Sequence, residues 1–263
     1  GPVMGGLLGA VDLHLPFYVA GGLALLNWGY GYFVLPESLP PERREAFDWR
    51  KANPVASLKG LSALQGVGPL VWVLALSALA QFILHSTWVL YTTFKFGWGP
   101  LENGLSLMAV GAMSTLVQGL LMKRLLERFS PQRLVVMGLM SSSLCYIAWG
   151  LAPVGWVMVV VVAFNLFGFA VTAAMQGIVS GAASGDSQGR TMGAVASLNS
   201  LMAVAAPVAG AAMLGIVSHL PQGDWRIGMP YYVCAALQAL AMGLALRHFT
   251  RQRALGNLHS AST

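Results

Sequence analysis

The chain has 263 residues, of which 9% are charged and 56% hydrophobic, and a formal net charge of +6. An ordinary soluble domain has about 25% charged residues, so this composition excludes one and points to lipid. The positive balance does not imply nucleic acid, because in membrane proteins basic residues collect in cytoplasmic loops.

The chain opens on "GPVMGG" and runs at once into "LLGAV", with no basic region and no signal-like cleavage site ahead of it. That beginning reads as the cut end of an apolar helix. Stretches free of Asp, Glu, Lys and Arg then follow at 13–36, 60–94, 103–122, 134–185, 191–223 and 227–246. Each can hold the roughly 20 apolar residues that cross about 30 Å of hydrocarbon. The stretch 134–185 is long enough for two spans, with "APVGW" as the turn between them. Seven complete spans are therefore expected, with a partial eighth at residues 1–11.

One connection is long: the basic, proline-bearing stretch that contains Pro36, Pro40, Pro41 and Pro54. Six tightly joined spans after such a linker suggest a six-helix unit with the remains of an earlier unit upstream. The expected division is 1–36 for the earlier helices, 37–66 for a cytoplasmic linker, 67–247 for the six-helix unit and 248–263 for a cytoplasmic tail. Of the 15 Lys and Arg residues, all but Lys95 and Arg226 fall on one side of the alternating path. That side is expected to be cytoplasmic, with the C-terminus there, in a multi-pass inner (plasma) membrane protein. Trp98, Trp149, Trp156 and Trp225 fall at the opposite face, where indole rings favour the interface. Cys145 and Cys234 form no CxxC pair and read as small buried hydrophobes. No metal site or cofactor is expected.

Several motifs carry a family resemblance. "GPVMGG" resembles the end of the fifth-helix signature of drug:proton antiporters of the major facilitator superfamily, placing Gly1, Pro2, Gly5 and Gly6 on its conformational motif. "FVLPES", "WVLYTTFKFGW", "NGLSLMAVG" and "MQGIVSGAASGDSQGRTMGAVASLNS" are similar to stretches of the tetracycline-resistance branch. In the last of these, Gln176, Gly177, Ser180, Gln188, Gly189, Gly193, Ser197 and Leu198 fall on matching positions. The resemblance implies an all-α membrane protein: the C-terminal six-helix half of a major facilitator fold, plus helix 6 and the end of helix 5. It further implies that the chain is a fragment, with helices one to four missing. "KRLLERFSPQR" is similar to the second copy of the family's cytoplasmic loop motif, with Leu125, Glu127 and Arg128 matching and Lys123 and Ser130 in place of two glycines. Glu127 and Arg128 then clamp helix ends in one state, or simply belong to a positive-inside loop. The branch also carries an acidic residue in the ninth helix, where Ser141 to Ser143 stand here, which puts tetracycline itself in doubt.

Polar residues inside the spans are functional candidates by default: Asn27, Gln81, His85, Gln118, Asn165, Gln176, Asn199 and Gln238. Gln81 and His85 are four apart and share a helical face with Trp88, which reads as cavity lining or as helix–helix hydrogen bonding. His85 is a proton-sensitive group or a simple hydrogen-bonded histidine. Asn165 and Gln176, eleven apart, are expected to project to one side of one helix. Asn199 joins them by family analogy only. The substrate-cavity candidates are thus Gln81, His85, Trp88, Asn165, Gln176 and Asn199.

The resulting expectation is a proton-coupled efflux antiporter for a small amphiphilic, tetracycline-like drug or metabolite. Its partners would be that substrate, protons, the lipid bilayer and the missing N-terminal helices. The competing readings are a non-functional remnant of a transporter gene and a polytopic membrane enzyme. An enzyme would need convergent catalytic groups at membrane depth, and His85 is the one histidine available there.

Overall fold

The computed structural model describes residues 14–36, 68–182 and 188–261, together with residues 4, 8 and 12. Among these, every regular element is helical. Helix α1 is Leu15–Phe33. Helix α2, Gly68–Phe96, is apolar over most of its surface, as a helix set among helices and lipid must be. It stops at Gly97, whose φ of 68° lies in the left-handed region that glycine enters without strain.

Pro100 starts α3 (Pro100–Thr115), and Glu102 Oε2 accepts from the Gly99 N–H at 2.9 Å. This helix widens into a π segment at Leu116–Leu121 and ends as α4, Met122–Arg128. Ser130 caps α5 (Pro131–Leu151), accepting from the Arg133 N–H, and Pro131 opens its first turn. After the expected turn at 152–154 come α6 (Gly155–Phe164), a short 3-10 turn at Gly168–Ala170, and α7 (Val171–Ala182). Helix α8 is Gln188–Val217 and contains Pro207. Asp224 caps the 3-10 turn Trp225–Gly228 that leads into α9, Met229–Ala261. Side-chain hydrogen bonds from Arg226, above all, hold the Asp224 carboxyl below the usual carboxylate range.

Two expectations need correction. Among the described residues, five helices are long and apolar enough to cross a membrane, or six if the pair Gly155–Phe164 and Gly168–Ala182, bent by 59°, counts as one. Helix α1 is present but is not among them. Four glycines, three tyrosines and Asn27 dilute its apolar character. The second correction concerns Asn165 and Gln176, which do not share a continuous helix. Asn165 ends α6, and the chain bends before α7 begins.

Helix α9 packs against α2 and α5, α2 against α8, and α5 against α7. The buried apolar residues form two clusters. One gathers Leu70, Leu134, Val179, Val195 and Phe249. The other is aromatic-rich, with Trp88, Tyr91, Tyr146, Trp149 and Tyr231. Along α2, α5 and α9 the changeover from one cluster to the other falls at Ser77 to Gln81, at Ser142 and at Gln238.

At the aromatic end, Lys95 Nζ donates to Gly150 O at 2.8 Å and to Tyr91 OH at 2.9 Å. Tyr91 OH in turn donates to Trp149 O at 3.0 Å. These bonds tie α2 to the carbonyls at the end of α5. Trp98, Trp156 and Trp225 lie at least partly exposed, but Trp149 is a core residue rather than an interfacial one, 2% exposed. Both cysteines are buried and free, and Cys234 Sγ donates to Ala80 O at 3.3 Å.

Candidate functional site

The changeover between the two apolar clusters leaves a polar layer at mid-span, and two adjoining cavities occupy it. The inner one measures about 50 Å³ and is bordered by Gln81, His85, Trp88, Asn165, Tyr146 and Gln238. Its neighbour, about 170 Å³, is bordered by Gln81, Gln176 and Asn199 among apolar side chains such as Leu74, Phe82 and Met175. Ser77, Gln81, Val171 and Thr172 border both. The two cavities therefore bring together all six substrate-cavity candidates, four at the inner and three at the outer, with Gln81 common to both.

The spacing of Ser77, Gln81 and His85, four residues each, places them on one face of α2. Gln81 and His85 are exposed on that face. Trp88 differs from them. It is buried, its indole N–H donates to Ser106 Oγ at 2.9 Å, and its ring meets Trp149 edge-on at 5.2 Å. It supplies a wall and has no free polar atom to offer.

Asn165 is held by α5. Its Oδ1 accepts from Ser141 Oγ at 3.2 Å and from Ser142 Oγ at 3.4 Å, while its backbone N–H reaches back to Val161 O. Gly168 makes this possible, because a Cβ there would overlap both Asn165 and Ser142. Ser141 and Ser142 thus secure the break between α6 and α7.

Gln238 joins the inner cavity from α9. It is among the polar residues the sequence singles out in the spans, yet nothing in the sequence assigns it to the site. Ser77, Ser142 and Thr172 also border the site and are silent in sequence, because a serine or threonine in a helix commonly bonds its own backbone. Gln118 does not reach the site; its Nε2 donates to Ser114 Oγ at 2.8 Å in the π segment.

A larger groove, about 380 Å³, lies between Phe129, Arg133 and Val136 and the Leu246 to Thr250 stretch of α9. Gln132, Arg133 and Thr250 line it among apolar side chains, and none of the six cavity candidates borders it. Glu127 and Arg128 are exposed at the end of α4. Among the described residues, Asp224 pairs with Arg226, and Asp12 hydrogen-bonds His14. Gly1, Pro2, Gly5, Gly6 and the stretch 37–67 lie outside the described residues. Among the described residues, no three His, Cys, Asp or Glu side chains come together as a metal site.

A family model, that of the Major Facilitator Superfamily, matches residues 1–207. The chain is 30% identical over 244 residues to the tetracycline resistance protein, class C, of Escherichia coli, an alignment covering 92% of this chain and 61% of that protein. It is 28% identical to the tetracycline resistance protein, class D, of Salmonella ordonez, over 88% of this chain and 58% of the relative. The chain thus spans about three fifths of the length of the curated relatives it matches. Among solved structures, the human organic anion transporter MFSD10 (TETRAN) superposes with a TM-score of 0.76 at 20% identity, over 92% of this chain and 60% of that one.

Proposed function

The chain belongs to the Major Facilitator Superfamily, and from that premise we propose that it serves in proton-coupled efflux of a small amphiphilic, tetracycline-like drug or metabolite. The family is one of membrane transporters, not enzymes. The observation that carries the efflux reading is the pair of mid-span cavities, where Gln81, His85, Asn165, Gln176, Asn199 and Gln238 converge among apolar walls. Amphiphilic cargo needs that mixture of apolar surface and a few fixed polar groups. The likeness to two tetracycline resistance proteins supports the same cargo class.

In this reading Gln81 and His85 face the cargo. Pro100–Arg128 and Thr191–Val217, the least buried spans, supply the open walls on either side. The partners are the cargo, protons, the surrounding lipid and the amino-terminal helices that the family's fold sets across the cargo chamber. Alternating access proceeds by rocking of the two halves about this mid-span site. The basic end of the bundle, with Arg124, Arg128, Arg133, Arg247 and Arg251, faces the cytoplasm of the inner membrane.

The test is drug accumulation in cells carrying the native gene, with and without an uncoupler. Those cells should accumulate less tetracycline than cells lacking the gene, and the uncoupler should remove the difference. Substituting Leu for Gln81 or His85 should change the relative export of tetracycline and tetraphenylphosphonium at unchanged protein abundance. Variants that disappear from the membrane with selectivity intact would assign both residues to packing instead.

A further inference from the structure

Gln238 stands near the middle of the last span, Trp225–Gln252. Its side chain is 3% exposed, and its Oε1 is buried without a hydrogen-bond partner. An unpaired buried amide oxygen is costly, and a methionine of similar length would fill the same volume without that cost. Nearby, Asn165 Oδ1 is engaged by two serines and the Trp88 N–H by Ser106, while Tyr146 lies against the Gln238 amide. Gln238 Oε1 is therefore an unpaired acceptor, covered by its neighbours, on a residue that borders the inner cavity.

The cavity's chemistry narrows what fits. No Asp, Glu, Lys or Arg borders it; its polar groups are hydroxyls, amides and one imidazole. At about 50 Å³ it admits a small substituent, while the adjoining chamber of about 170 Å³, walled by Leu74, Phe82, Met175 and Val195, has room for part of a ring system. Ser77, Gln81 and Thr172 form the threshold between them.

We propose that, given the efflux role above, the inner cavity is a cargo subsite for an uncharged hydrogen-bond donor. The apolar body of the cargo lies in the larger chamber, and a hydroxyl or primary amide arm passes Gln81 to donate to Gln238 Oε1. Gln238 is then a specificity-determining residue. A cargo without the donor leaves this oxygen unpaired, and a site built to hydrogen-bond discriminates strongly against an analogue lacking the group.

The experiment compares export of tetracycline, which carries hydroxyl and carboxamide donors, with export of tetraphenylphosphonium, which has none, in cells carrying the native gene. Gln238→Met should reduce tetracycline export about tenfold, the scale of one buried hydrogen bond, and leave tetraphenylphosphonium export unchanged. Gln238→Asn, which keeps an acceptor, should retain part of the tetracycline export. The purified Gln238→Met protein should melt at a higher temperature than the parent, because the unpaired oxygen is gone. Equal loss of both exports, or no loss of either, overturns the subsite. So does a lower melting temperature for Gln238→Met, which assigns the oxygen to a structural water. Cells with the unaltered gene that export neither probe contradict the efflux reading itself, whereas export of both regardless of residue 238 contradicts the subsite alone.

Discussion

Asn103 shows what the family-like stretches near the start of the six-span unit do. Its Oδ1 accepts from Thr92 Oγ1 at 2.6 Å and its Nδ2 donates to Gly99 O at 3.0 Å, closing the corner between α2 and α3. Trp88, Tyr91 and Lys95 bond to Ser106, Trp149 and Gly150 in the same region. These motif residues fasten helices, and from the same stretches Trp88, Leu107 and Val110 border the inner cavity. Gln81 and His85 were legible as a cavity face because their spacing is set by one helix. Gln238 was visible as a polar intruder, but its place depends on how α9 packs against α2 and α5, which no local pattern encodes. Gly168 offers a sharp test of the packing at the break. Gly168→Ala forces a methyl group into Asn165 and Ser142 and is expected to destabilise the protein by about 1–3 kcal/mol, the usual cost of overpacking. Gly177→Ala, with nothing within 4 Å, is the control and should leave the melting temperature nearly unchanged.

At the scale of elements, charge-free runs placed the helices well, and the proline–glycine turn after α5 stood where expected. The irregularities inside helices were hidden. The break after Asn165 interrupts a run that composition presents as continuous, and the π segment at Leu116–Leu121 changes the backbone register without any change in apolarity. The two irregular segments pack against each other, so the span Pro100–Arg128 is widened where its neighbour is bent. The charge asymmetry of the sequence predicts a topology that labelling can check. In intact cells, a cysteine at Ser130 should resist a membrane-impermeant thiol reagent, while one at Gly223 should react. Both positions are exposed, so accessibility within the protein does not blur the result. The reverse pattern would invert the bundle.

Across the described residues, the acidic side chains Asp12, Glu102, Glu127 and Asp224 lie in loops or at helix ends, and none borders the mid-span cavities. A proton-driven antiporter needs a titratable group within the membrane that competes with cargo, and carboxylates are the usual choice. This chain by itself, reconstituted in liposomes under an imposed pH gradient, is therefore expected to show no gradient-driven tetracycline uptake. Uptake that follows the gradient would place the coupling group within these spans, with His85 the first residue to substitute. The two apolar clusters and the polar layer between them also bear on how the protein is made. A polar side chain opposes insertion most strongly at the centre of a span, and Gln81 and Gln238 both sit near that point of their helices. As each of these helices leaves the ribosome it presents its least lipid-compatible residue at the depth where lipid is least forgiving. The last span, which is synthesised when its partners α2 and α5 are already in place, can settle directly against protein, so the order of synthesis itself shelters Gln238 from the bilayer.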